Sequence, residues 1–281
     1  MAIESAPPLP CPSSIDPYEK LKIVYYSEND SLTRLFPIPC TNATCDDNPG
    51  QEHVLTKDIP LEKTSLRLFL PVKPPLNGKL LPLVIYLHGG GFILCSAENT
   101  VFHDFCVLMA TTLPAVIVSV DYRLAPENRL PAAYDDAVEA IKWVQNQALD
   151  VDGGHKWTES EVRLVNNETL PLSVCDLMWD LSLPRGVDRD HEYCNPVVNG
   201  DARKGEKIGL LGRCFVSVRG RDILMDHQIE FVRMLEGRGV SVVCWFDEIG
   251  YHGIELFDRN KAEALIVVLK DFVSSSRVTR E

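Results

Sequence analysis

The sequence predicts an α/β fold: a mostly parallel sheet wrapped by helices. Short apolar runs rich in β-formers lie at Leu66–Leu70, Leu83–Leu87, Ala115–Val120, Cys214–Val218 and Val240–Phe246. Stretches of helical spacing separate the later ones, the alternation that a helix-covered parallel sheet requires. Ala115–Val120 (AVIVSV) is apolar almost throughout, as strands buried on both faces are. The length of 281 residues suits one large α/β domain or two small ones.

In chain order, residues 1–60 are rich in Pro and Asn with little periodicity. They read as a poorly ordered start followed by a wrapping segment. The strand at 66–70 comes next, then Leu83–Leu87 (LVIYL), which runs into His88-Gly89-Gly90-Gly91-Phe92. After the 115–120 strand, Pro131 opens a helix whose apolar positions are Tyr134, Ala137, Val138, Ile141, Val144 and Ala148; proline is tolerated in a first turn. Residues 155–200 interrupt the alternation and read as a helical insertion over the sheet. Thr158-x-x-Glu161 has the form of a capping box, and Val174–Leu181 is a short amphipathic stretch. Between the last two strands, Met225, Ile229, Val232 and Leu235 form a helical stripe closed by Gly237 and Gly239. A final helix is expected to bury Ala262, Leu265, Ile266, Leu269 and Phe272.

Composition narrows the functions. With 28 Lys+Arg against 40 Asp+Glu the net charge is −12, which repels phosphate backbones and anionic lipid, so neither a nucleic-acid nor a membrane partner is expected. The longest apolar runs, such as Leu265–Leu269, fall far short of the ~20 residues that span a bilayer. The nine cysteines include no CxxC pair, so no zinc or thioredoxin-type site is readable. Met1–Pro12 carries no basic n-region and no apolar h-region, so a cytoplasmic protein with reduced thiols is expected. The sequons at Asn42 and Asn167 then read as chance matches. No cofactor and no metal is expected.

Two groups of residues point to chemistry. Three glycines at 89–91 directly after a buried strand let the backbone approach a substrate and aim successive N–H groups at one point. That geometry suits an oxyanion hole, although a bare glycine run is more often a flexible turn. Asp222 and His252 follow consecutive strands and would project to one rim of a parallel sheet, as the acid–base half of a nucleophilic triad does. Taken alone they read as a helix cap and a turn residue; together with the glycine loop they read as a site.

The blocks HGGGF (88–92), DYRLAPE (121–127), DRDHEYCNP (188–196), GRDILMD (220–226) and GYHGIELF (250–257) resemble the plant carboxylesterases of the hormone-sensitive-lipase branch of the α/β-hydrolases. The resemblance runs from about Val54 to Val273. It implies hydrolysis of small-molecule esters, with Asp222 as triad acid, His252 as base and Gly89, Gly90 and Gly91 in the oxyanion loop. It implies a cap segment at 1–50 ahead of an α/β-hydrolase domain at 51–281, with residues 158–185 completing the cap. It also discounts a metal site at His191, Glu192 and Cys194, because the family carries that block without metal.

One departure is large. The family's nucleophile sits in Gly-x-Ser-x-Gly on a strained strand-to-helix turn, and that motif occurs nowhere in the 281 residues. Asp150-Val151-Asp152 runs straight into Gly153-Gly154, where the family supplies a strand, the elbow, a helix and a further strand. Roughly 40–50 residues are missing near 152–153, judged from typical element lengths. No nucleophile is therefore assigned: Ser96, Ser173, Cys95 and Cys175 lie near pocket-forming blocks, but none stands on a Gly-flanked elbow. At ~4.8 Å per strand, losing two central strands opens roughly 10 Å of sheet unless its two parts close up. Three functions stay open: a carboxylesterase, a non-catalytic binder of a small ester or apolar ligand, and a truncated splice product.

Overall fold

The computed structural model describes residues 16–44, 53–72, 81–149, 172–196 and 207–275. The junction at 152–153, the Thr158/Glu161 capping box, the Asn167 sequon and residues 1–15 lie outside them.

Residues 16–44, read from the sequence as part of a poorly ordered start and a wrapping segment, carry a short helix α1 (Pro17–Leu21) and a hairpin of β1 (Ile23–Tyr26) and β2 (Ser31–Arg34). Asp16 caps α1 by accepting from the Tyr18 N–H at 2.9 Å. A third unforeseen strand, β3 (Val54–Pro60), pairs antiparallel with β4 (Ser65–Pro71). Lys57-Asp58 breaks the alternation of β3, so its period was not visible. β5 (Leu83–Leu87) and β6 (Val116–Asp121) run parallel, and β4 pairs antiparallel with β6. The order is β3-β4-β6-β5. The sheet is thus mixed rather than mostly parallel, because its N-terminal strands join by a hairpin and only the crossover pairs are parallel.

α2 (Thr100–Thr112) connects β5 to β6 and was also not foreseen. It buries Phe102, Phe105, Cys106, Met109 and Ala110. Phe102 and Phe105 both lie against Tyr86 of β5. α3 (Ala132–Leu149) begins directly after Pro131, as expected, but its buried face is Ala133, Asp136 and Ala140. Val138 and Ile141, expected inside, are exposed. α4 (Leu172–Ser182) contains the amphipathic 174–181 stretch and buries Val174, Cys175, Leu177 and Leu181.

β7 (Cys214–Arg219) and β8 (Val242–Asp247) form a separate parallel pair. α5 (Met225–Gly237) connects them and buries Val232 and Leu235. Among the described residues no strand joins β5 to β7. The two parts are held instead by helices: α6 (Ile254–Phe257) and α7 (Arg259–Ser275) pack against α2. One apolar cluster runs from Phe69, Phe105 and Ile117 to Phe215, Leu265, Ile266 and Phe272.

Candidate active site

The Asp222–His252 pair forms. Gly220 and Gly250 let the loops after β7 and β8 touch: a Cβ at 220 would collide with the Glu248 backbone, and one at 250 with Asp247 and Arg219. Two backbone bonds then lock the loops, Gly220 N–H to Asp247 O at 2.9 Å and Arg221 N–H to Gly250 O at 3.0 Å. This contact brings His252 Nδ1 to 3.0 Å from Asp222 Oδ2. The carboxylate also accepts from Leu224 N–H at 2.9 Å and from Gln228 Nε2 at 2.8 Å. Because an ionised carboxylate only accepts, Nδ1 carries the proton and Nε2 presents a lone pair. Both side chains are buried. Burial pushes the Asp222 carboxyl up, while burial and the nearby Arg219 guanidinium push His252 down to about 3.

Arg219 was not singled out from the sequence, although a charge at the end of the apolar strand CFVSVR is a visible anomaly. It is fully buried, pairs with Glu255 Oε2 at 2.9 Å and Asp247 Oδ2 at 3.1 Å, and stacks over the Trp245 ring at 4.9 Å. Lys261 closes the network by pairing with Asp247 at 2.9 Å.

The glycine loop is built for its backbone. Gly90 has φ +121°, and a Cβ there would strike the Leu94 carbonyl. Gly91 has φ +59°, and its added Cβ would strike Met178 of α4. Gly89 is under no such constraint: its Cβ would make ordinary contact with Phe102 at 3.7 Å. The Gly90 carbonyl turns back to accept from Ile93 and Leu94 N–H. His88 is buried and stacked on Tyr122 at 4.2 Å. Its Nδ1 is 2.8 Å from Gly89 O and therefore donates, which fixes the plane of the Gly89–Gly90 peptide. From α4, Ser182 Oγ donates to Gly91 O at 3.0 Å, and Trp179 lies 5.9 Å from the Phe92 ring.

The DYRLAPE block is architectural. Asp121 accepts from Ala97 N–H, and Arg123 pairs bidentately with buried Asp136. Glu127 holds Arg34 and the Leu32 N–H of the hairpin. Of the possible replacement nucleophiles, the two thiols are disfavoured by environment: burial pushes the Cys95 thiol up to about 11 and raises Cys175 as well. Ser96 offers its N–H to Asn99, and the side chain of Ser173 lies outside the described residues. His191 accepts from Tyr193 N–H and packs on the Tyr193 ring, a turn contact.

The α/β-hydrolase fold family matches residues 84–165 and 154–256. The chain belongs to that family. Its relatives place it among the plant carboxylesterases. A 3-O-acetylpapaveroxine carboxylesterase of Papaver somniferum is 42% identical, covering 92% of this chain and 97% of that one. A gibberellin receptor of Arabidopsis thaliana is 28% identical over 66% of each chain. An esterase of Pyrobaculum calidifontis superposes with a TM-score of 0.61 at 23% identity, covering 81% and 87% of the two chains. The poppy alignment extends over 320 positions. Since this chain has 281 residues, at least 39 positions of that relative stand opposite gaps here. The two family matches meet at 154–165, beside the junction where the elbow motif is absent from the sequence.

Proposed function

We propose that this carboxylesterase-family chain keeps the acid, the base and the oxyanion loop of a small-molecule ester hydrolase but no nucleophile, and so holds an ester or apolar ligand without turning it over. One observation carries the reading. His252 is oriented by Asp222, yet among the described residues no hydroxyl or thiol hydrogen-bonds to it, and the sequence holds no Gly-x-Ser-x-Gly. In this assignment Asp222 fixes the tautomer of His252, and Nε2 is the position from which a base would take the serine proton. Gly89 and Gly90, with Gly91 clamped behind them, would direct N–H groups at a developing oxyanion. Loss of such a serine costs on the order of 10⁶ in kcat elsewhere. The acidic charge and the free cysteines support a cytoplasmic setting with a small molecule, not a nucleic acid or a membrane, as partner.

The test is hydrolysis of p-nitrophenyl acetate and butyrate. The chain should not exceed its His252→Ala variant, whereas an acylation burst or labelling by a serine-directed organophosphate overturns the reading. A family-like strand–GxSxG–helix–strand block inserted between Asp152 and Gly153 should restore turnover. A soluble, folded graft that stays inactive would remove Asp222, His252 and the glycines from these roles. A second reading, a truncated product with no function, is favoured by the two unjoined sheets; failure to bind any small ester or apolar ligand would select it.

A further inference from the structure

We propose that Gln228 is a positioning residue: its side-chain amide, braced on the backbone of Arg219, holds the Asp222 carboxylate aimed at His252. The inference rests on the reading of Asp222 and His252 as acid and base.

The geometry is a bridge. Gln228 is the fourth residue of α5, and its Oε1 accepts from the Arg219 N–H at the end of β7, at 3.2 Å. Its Nε2 donates to Asp222 Oδ2 at 2.8 Å. The amide can face only one way. A backbone N–H donates and an ionised carboxylate accepts, so a flipped amide would set donor against donor and oxygen against oxygen. The anchor is itself held. The Arg219 guanidinium is fully buried and pairs with Asp247 and Glu255, which stand on either side of His252 in the chain. Arg219 thus reaches the acid through its backbone and Gln228, and brackets the His252 loop with its side chain.

The two effects meet at Oδ2. That oxygen accepts from both Gln228 Nε2 and His252 Nδ1, while Oδ1 accepts from Leu224 N–H. With one lone pair of Oδ2 taken by the amide, the other is left for the ring. Gln228 also bears on the charge of the acid. Burial favours the protonated form, and the bonds from Leu224 N–H and Gln228 oppose it, as does the Arg219 charge. The charge in turn decides the base. A protonated Asp222 would donate to Nδ1, the ring proton would sit on Nε2, and His252 would have no lone pair to accept a hydroxyl proton. Packing alone would not call for an amide at this half-buried position; methionine is equally unbranched and donates nothing.

The test is nitrogen NMR of the full chain labelled at histidine and glutamine, with the His252 signals identified by their loss in His252→Gln. The parent ring should be protonated at Nδ1 and bare at Nε2. In Gln228→Met the ratio of this tautomer to the Nε2–H form should fall about tenfold or more, the worth of one hydrogen bond to a charged group. Glu230→Met, at an exposed position of the same helix, should leave the ratio as it is. An unchanged ratio in folded Gln228→Met, or an equal fall in Glu230→Met, overturns the proposal alone. A parent ring protonated at Nε2 overturns the acid–base reading and the proposal with it. Should Gln228→Met fail to fold, the parent decides: a Gln228 side-chain N–H protected from solvent exchange supports the proposal, and one exchanging as fast as that of the exposed Gln145 overturns it.

Discussion

Met178 of α4 lies directly against Gly91, so no side chain fits at position 91. The contact ties α4 to the glycine loop at the residue where the loop backbone is already left-handed, φ +59°. Gly91→Ala therefore meets two penalties: about 1–2 kcal/mol for a left-handed residue with a Cβ, and about 1–3 kcal/mol for overpacking against the methionine. It should destabilise the chain by at least about 2 kcal/mol in denaturant and change the emission of Trp179, which packs on Phe92. Adding Met178→Ala should return the packing share but not the backbone share. A Gly91→Ala variant as stable as the parent would show that the helix does not rest on the loop.

His252 supplies a pH signature. Its folded pKa, about 3, lies below its unfolded value near 6.5. As pH falls through 6.5 the unfolded chain takes up a proton that the folded chain refuses, and the stability from this group is lost between about 6.5 and 3. Asp222 is shifted the other way: its raised pKa favours the folded state as pH falls, and it acts nearer the acid end of that window. From pH 7 to 5 the histidine dominates, with a slope of at most about 1.4 kcal/mol per pH unit. Stability measured from pH 7 to 5 should fall for the parent and stay flatter for His252→Gln. Equal slopes would mean that His252 is protonated in the fold or exposed to solvent.

Arg34 fastens the N-terminal hairpin to the site. Its guanidinium donates to Ile93 O at 2.7 Å, to Ala125 O at 3.0 Å and to both oxygens of Glu127. Charge-assisted hydrogen bonds of this type contribute about 1.5–3 kcal/mol each when buried, and less here because both side chains are partly exposed. Arg34→Ala should cost about 1–3 kcal/mol in total and open residues 26–31 to limited proteolysis. Unchanged cleavage would show that the apolar contacts of Ile23 and Leu32 hold the hairpin without it.

What the sequence made legible follows from locality. The 83–87 and 214–219 strands were readable because a run of β-formers meets a glycine turn, and the Asp222–His252 pairing because equal positions after consecutive parallel strands converge. α2 was invisible for a physical reason: a helix wedged between β5, α6 and α7 is apolar on several sides, so TVFHDFCVLMATT shows no polar stripe. β3 and the hairpin were hidden by charges such as Lys57 and by the short span of each strand. The face of α3 was misassigned because periodicity reports which residues are apolar, not what covers them, and Val138 and Ile141 are apolar and exposed. Arg219 was missed because its partners, Glu255 and Asp247, come from two other elements.

Cooperativity is the final measurable consequence. Among the described residues the β3-β4-β6-β5 sheet and the β7-β8 pair share no backbone ladder, and the side chains between α2 and α7 couple them. That coupling is real: Phe105, Ile117, Phe215, Leu265 and Phe272 belong to one cluster, and burying a side chain of this kind is worth roughly 1.5–3 kcal/mol. Against it stand apolar groups left at the surface around the β7–β8 rim. Ile223, Phe246, Ile249 and Phe257 are 48–63% exposed, and apolar surface of this kind favours association over solution. Net domain stability is only about 5–15 kcal/mol, so a few uncovered side chains weigh heavily in the balance. The chain is therefore expected to bind a hydrophobic dye and to melt broadly, with the β7–β8 part losing amide protection before β4 and β6. Differential scanning calorimetry together with amide exchange checks this. A single steep transition above about 55 °C, inside the usual mesophile range, with uniform protection across both sheets, would show that the helices alone weld the two parts. A stably folded binding protein would then be favoured over a truncated product.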